Sequence, residues 1–151
     1  MNFQGGGFSL DLPEGVVDSS AYVFVKDDES NAPPMLQITH QVVPSVPSDI
    51  DAFLHERIDP EIDAVKILEL LETSVNRRDN WTYGIATLVW GREPESLKER
   101  RIYLFVEEPG IRLFTLIVKA PEAKFDAAIE YFTSSMRSFA PNEIQRLLAI
   151  R

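Results

Sequence analysis

Residues 100–120 read R-R-I-Y-L-F-V-E-E-P-G-I-R-L-F-T-L-I-V-K-A, and their pattern decides the fold. Two β-rich runs flank Glu107-Glu108-Pro109-Gly110. Pro presets φ at the first central position of a type II turn and Gly accepts positive φ at the second, so the stretch predicts a β-hairpin. Successive side chains of a strand point to opposite faces. Ile102, Leu104 and Val106 therefore oppose Tyr103 and Phe105, while Ile111, Leu113 and Ile117 oppose Phe114, Leu116 and Val118. The hairpin is apolar on both faces. An antiparallel sheet commonly packs one face and wets the other, so each face of this one requires a cover.

Working outward, Pro121 is suited to a helix start, and Phe125, Ala128, Ile129, Phe132, Met136 and Phe139 recur at helical spacing. Pro141 closes that helix, and Asn142 is a candidate cap for a tail helix with Ile144, Leu147, Leu148 and Ile150. Upstream, Trp81 to Trp90 forms a β-run ending in a turn at Gly91 to Ser96. Lys66 to Asn76 fits helix or strand, with a strand favoured in its later half. A first helix carries Ile50, Phe53, Leu54 and Ile58, with Ser48 as its expected cap and Asp59-Pro60 as its expected end or kink, a further turn through Ile62 and Val65 being open beyond it.

Three strands precede it: Phe8 to Leu12, expected at an edge, Ala21 to Val25, and Met35 to Val43. Gly5-Gly6-Gly7 reads as a flexible lead-in. The order strands, helix, strands, helix gives an α+β class, with an antiparallel sheet and both main helices on one face. One domain over residues 1–141 and a tail over 142–151 are expected.

The 151 residues are 44% hydrophobic and 26% charged, ordinary values for a folded domain. The net charge of −9 argues against nucleic acid and anionic lipid as partners. With no cysteine, thiolate catalysis and Cys-based zinc sites are excluded. The start M-N-F-Q-G-G-G-F-S-L has no basic residues and no apolar core, and no apolar run approaches a membrane span. A cytoplasmic location is the expectation.

Chemistry is sparse. His40 and His55 lack partners at metal-ligand spacing, and Asp59, Glu61 and Asp63 lack the glycine and terminal glutamate of a calcium loop. No G-x-S-x-G occurs, and Gly5-Gly6-Gly7 precedes a strand rather than a helix. Lys98, Arg100 and Arg101 read as surface ion-pair partners of little energy. No enzyme, cofactor or metal is expected.

If Ile102, Leu104 and Val106 turn to the helices, alternation assigns the other face Ala21, Val23 and Val25, then Met35, Gln37 and Thr39, then Tyr103 and Phe105. One reading closes this face in a homodimer, or beneath the first strand and the tail. The other makes it a groove for an apolar client, with Gln37 and Gln41 satisfying polar groups on that client.

The segments F-S-L-D-L-P-E-G, D-S-S-A-Y-V-F-V and R-L-F-T-L-I-V-K-A-P-E-A-K-F-D-A-A-I-E-Y-F-T-S-S-M-R-S-F resemble the DcrB-related family. Val16 and Val17 stand where that family usually has Trp. The resemblance implies a PsbP-like curved sheet. For leaderless acidic members it also implies the role of an Eag-type chaperone of type VI secretion. Such chaperones are homodimers that bind N-terminal transmembrane helices of effectors before export. Carried over, the client-facing positions are Ala21, Val23, Gln37 and Tyr103; Val25, Met35 and Phe105 are added by alternation alone. The alternative is a structural homodimer domain whose second face is only an interface.

Overall fold

The computed structural model describes residues 2–5, 8–11, 21–64, 68–78, 81–91, 96–107 and 110–137. The described elements are β1 (Asn2–Gly5), β2 (Phe8–Asp11), β3 (Ala21–Val25), β4 (Met35–Val42), α1 (Ile50–Ala64), β5 (Leu68–Arg78), β6 (Trp81–Trp90), β7 (Leu97–Val106), β8 (Arg112–Pro121), a 3-10 turn (Glu122–Lys124) and α2 (Phe125–Arg137). The α+β class and the antiparallel sheet agree with the sequence.

β7 and β8 pair from Leu97 against Pro121 to Val106 against Arg112, and Gly110 takes a φ of 74° in the connection. The hairpin is thus central: the sheet order is β3-β4-β8-β7-β6-β5. β5 spans most of the segment whose state the sequence left open. β1 and β2 form a separate two-stranded sheet, pairing Gly5 with Phe8. The first strand is therefore not an edge of the large sheet, and Gly5 is strand rather than lead-in. The tail beyond Arg137, with Asn142 and its apolar residues, lies outside the described residues.

The helices depart from expectation. Ile50, Leu54 and Ile58 of α1 pack with Ala86, Leu88, Tyr103, Phe105 and Leu113. Ala128 and Phe132 of α2 pack with Leu36, Val118 and Ala120. Leu113 and Val118 differ in parity on one strand, so α1 and α2 lie on opposite faces. A hairpin apolar on both sides gains burial on each, at roughly 1.5–3 kcal/mol per large side chain. One helix per face supplies that burial.

Local chemistry fixes the helix ends. Asp49, not Ser48, caps α1: its Oδ1 accepts from the Ala52 N–H at 3.0 Å. α1 runs on through Pro60 to Ala64. Pro121 closes β8, and the 3-10 turn separates it from α2.

Candidate binding surface

Register places the sequence-predicted residues in rows across the α1 side of the sheet. Val23 pairs with Gln37, Gln37 with Ile117, and Ile117 with Arg101. Val25, Met35, Lys119 and Glu99 form the next row, and Ala21, Thr39, Thr115 and Tyr103 the row on the other side. All seven predicted residues thus share one face, but they do not share one surface.

Tyr103 and Phe105 are 5% and 1% exposed, because α1 lies over them. Phe53 meets both rings edge-on, with centroids 5.6 Å from Tyr103 and 5.1 Å from Phe105. Their place in an open groove is corrected accordingly: they belong to the core beneath α1. Gly84 permits this approach. A Cβ there would stand 2.9 Å from Cγ2 of Ile50 and 3.0 Å from Cδ2 of Leu54.

The border of the closed half is polar. Arg101 is buried, and its Nη2 donates to Glu99 Oε1 and to Glu61 Oε2 of α1, each at 2.7 Å. Glu99 also accepts from the Trp90 indole N–H, and Lys119 Nζ sits 4.9 Å over the Trp90 ring. Burial opposes the charge on Arg101, but Glu61 and Glu99 outweigh it and raise the guanidinium's pKa. Arg101 is therefore a buried tie between β7 and α1, not the surface partner that the sequence predicts. The K-E-R-R run held the signal, since residues two apart share a strand face.

Beyond that border the face is open. Ala21, Val23 and Val25 are exposed, Val23 at 54% and Val25 at 53%, while Met35, Gln37, Thr39 and Ile117 are half-buried. On the reverse side of the same strand, Tyr22 and Phe24 are 59% and 52% exposed. Sequence alternation sent these two to a helix-covered side and so missed them. Behind them lies a cleft of about 590 Å³ lined by Phe24, Leu36, Ile38, Tyr131, Phe132 and Ser135 among others. Apolar surface therefore wraps around β3, whose outer edge pairs with no strand among the described residues.

Other polar groups do not assemble a site. His40 stacks on Phe114 at 4.9 Å between ring centroids, and its Nε2 has no hydrogen-bond partner. His55 lies along α1 between Asp51 and Asp59. A second cleft, of about 900 Å³, lies at the start of α1 and is lined by Ser48, Asp49, Arg77, Thr82 and Glu107 among others. Among the described residues, no cluster of three or more His, Cys, Asp or Glu is arranged to hold a metal, and no helix is long and apolar enough to cross a membrane.

No protein-family model matches the chain, and no curated protein matches it. Solved structures do. PA94 from Pseudomonas aeruginosa, a protein of unknown function, superposes with a TM-score of 0.69 at 12% identity, over 93% of this chain and 96% of that one. The cyanobacterial PsbP, CyanoP, from Synechocystis sp. PCC 6803 superposes with a TM-score of 0.52 at 14% identity, over 87% of this chain and 98% of that one. At such identities the likeness concerns the fold alone, and the fold of this chain is PsbP-like.

Proposed function

We propose that this protein is a non-enzymatic cytoplasmic chaperone that acts as a homodimer and shields apolar segments of a secreted client. The single observation behind the reading is the β3 strand, with Tyr22, Val23, Phe24 and Val25 all more than half exposed in a chain of net charge −9. Scattered exposed apolar residues are ordinary, whereas a contiguous apolar patch marks a binding surface. Burying each large side chain of this strand contributes roughly 1.5–3 kcal/mol, so a few suffice to hold an apolar helix. Gln37, Thr39 and Thr115 beside them offer partners to polar groups on that helix.

The client class comes from the resemblance to the DcrB-related family: N-terminal transmembrane helices of type VI secretion effectors, held before export. Such a helix of about 20 apolar residues would otherwise aggregate or insert early. Relative to the sequence-based groove, the proposed surface keeps Ala21, Val23, Val25, Met35 and Gln37, and leaves Tyr103 and Phe105 to the core. The test is co-expression with an effector's N-terminal apolar segment fused to a soluble reporter. The segment stays soluble with the wild-type protein and is lost to the pellet with Val23→Asp. A segment that is equally insoluble with both sinks the client reading. What then remains is a structural homodimer domain, for which the free β3 edge also speaks.

A further inference from the structure

We propose that two copies of this chain join edge to edge through β3, antiparallel and centred on Val23, so that two six-stranded sheets become one twelve-stranded sheet. The inference rests on the preceding reading, on its homodimer for the interface and on its client for the width of the joined face.

The two edges of the sheet differ in character. β5 is blunted as edge strands usually are: it carries the exposed charges of Glu69 and Arg77, and a register irregularity falls between Leu70 and Glu72. β3, Ala21-Tyr22-Val23-Phe24-Val25, has no charge, no proline, no glycine and no irregularity in its pairing with β4. Its five residues are exposed. Left bare, that edge is a template for another strand.

The β3 edge is also self-complementary. A two-fold axis through Val23 sets it against Val23 of the second copy. Tyr22 then faces Phe24 of the second copy on one side of the sheet, and Ala21 faces Val25 on the other. The Val23 pair lies on the axis and occurs once, while the Tyr22–Phe24 and Ala21–Val25 pairs each occur twice, as an isologous interface requires. Aromatic and β-branched cross-strand pairs are favourable, and like charges directly opposite are not. No like charges meet in this register, although the whole chains repel at −9 each.

One copy is also too narrow for its proposed client. Although Leu113 of β8 lies beneath α1, at the Val23 row the open part of the α1-side face spans three strands, β3, β4 and β8. At about 4.8 Å per strand that is about 14 Å. An apolar helix of about 20 residues is about 30 Å long. Joining two copies at β3 gives six open strands, about 29 Å at the same spacing. One copy alone supports half of such a helix.

The chain has no cysteine, so a single introduced thiol reports cleanly. Val23→Cys is expected to form an intermolecular disulfide under mild oxidation, giving a species of twice 17.1 kDa on a non-reducing gel. Val75→Cys on the β5 edge, similarly exposed, is expected to stay unlinked. Phe24→Lys, at an exposed position, should convert the dimer seen by sedimentation into a folded monomer. A wild-type protein that sediments as a monomer overturns the proposal together with the homodimer reading. A dimer that survives Phe24→Lys and leaves Cys at position 23 unlinked overturns the interface only. A thiol at position 23 that links to a co-expressed client while the protein alone stays monomeric assigns the edge to that client, and also overturns it.

Discussion

Val23 and Phe105 lie on the same face of the same sheet, and both are apolar residues set by the same alternation. Phe105 is 1% exposed and Val23 is 54% exposed. The difference lies in what stands above them. α1 covers the face from β5 across β7 to Leu113 of β8 and is tied to β7 through Arg101 and Glu61; nothing among the described residues covers the β3 side. Two halves of one surface have thus been put to different uses, one as core and one as contact surface. Strand pattern reports that a side chain is apolar and which way it points. It does not report whether a helix lies there.

The largest expected effect tests the closed half. Phe105→Ala removes a fully buried ring that Phe53 meets edge-on, and should cost about 3–5 kcal/mol. Val23→Ala, which removes fewer atoms from an exposed site, should stay within about 0.5 kcal/mol. Urea denaturation monitored by circular dichroism, at a protein concentration where both variants share one oligomeric state, separates the two. Comparable losses would erase the distinction between the halves.

A smaller effect comes from Gly84, which sets how closely α1 approaches. Gly84→Ala presses a methyl group onto Ile50 and Leu54, both buried, and should cost about 1–3 kcal/mol. Its sharper signature is spectroscopic. Phe53 and Tyr103 should change their near-ultraviolet circular dichroism, while Tyr22 and Phe24, exposed on the far strand, should contribute no change. An unchanged midpoint would show that α1 yields at no cost, and that the closed half is less fixed than its packing implies.

The sequence carried much of this architecture, with one exception. Element types followed from period and from turn residues: Gly110 has the positive φ required after Pro109, and β5 is the strand favoured for its later half. The placement of the helices did not follow. A hairpin apolar on both sides is satisfied equally by two helices on one face with a partner on the other, or by one helix on each. Tyr103 and Phe105 were misplaced for that reason. The buried Arg101 was legible only in part, since its strand partner Glu99 is two residues away but Glu61 is forty residues distant. Gly84 in W-T-Y-G-I-A-T-L-V-W was a usable signal, because glycine inside a strand often marks a close approach.

On the open half the stability change should be small and the functional change large. Val23→Asp places a carboxylate on an exposed strand, so the folded monomer should stay within about 0.5 kcal/mol of wild type. Capture of an apolar segment should fall to background in the same preparation. A variant that loses both fold and capture would show that β3 contributes to the core, and the division of the face would then lie elsewhere.

The smallest effects are two opposite pH responses, one in each half. Asp28 follows β3; the Ser30 hydroxyl, and then Lys124 at 2.9 Å, lower its carboxyl pKa from 3.8 to about 2. Its contribution is present above about pH 3.8 and is lost as the pH falls through about 2. His55 sits on α1; its hydrogen bond to Asp59, 3.1 Å away, raises its pKa above the ordinary 6.5, and Asp51 adds to this. That contribution is complete below pH 6.5 and fades as the pH rises through the raised value. Both groups lie at the surface and are only partly covered, so solvent screens them and the energies are slight. The readout is therefore local: acid should perturb NMR resonances of the Lys26–Pro34 loop, and Asp28→Asn should remove that step. Mild base should perturb α1 around His55, and His55→Gln should remove that one. If a single titration moves both regions together, the two halves of the sheet are coupled, and the covering helix and the open strand are not independent units.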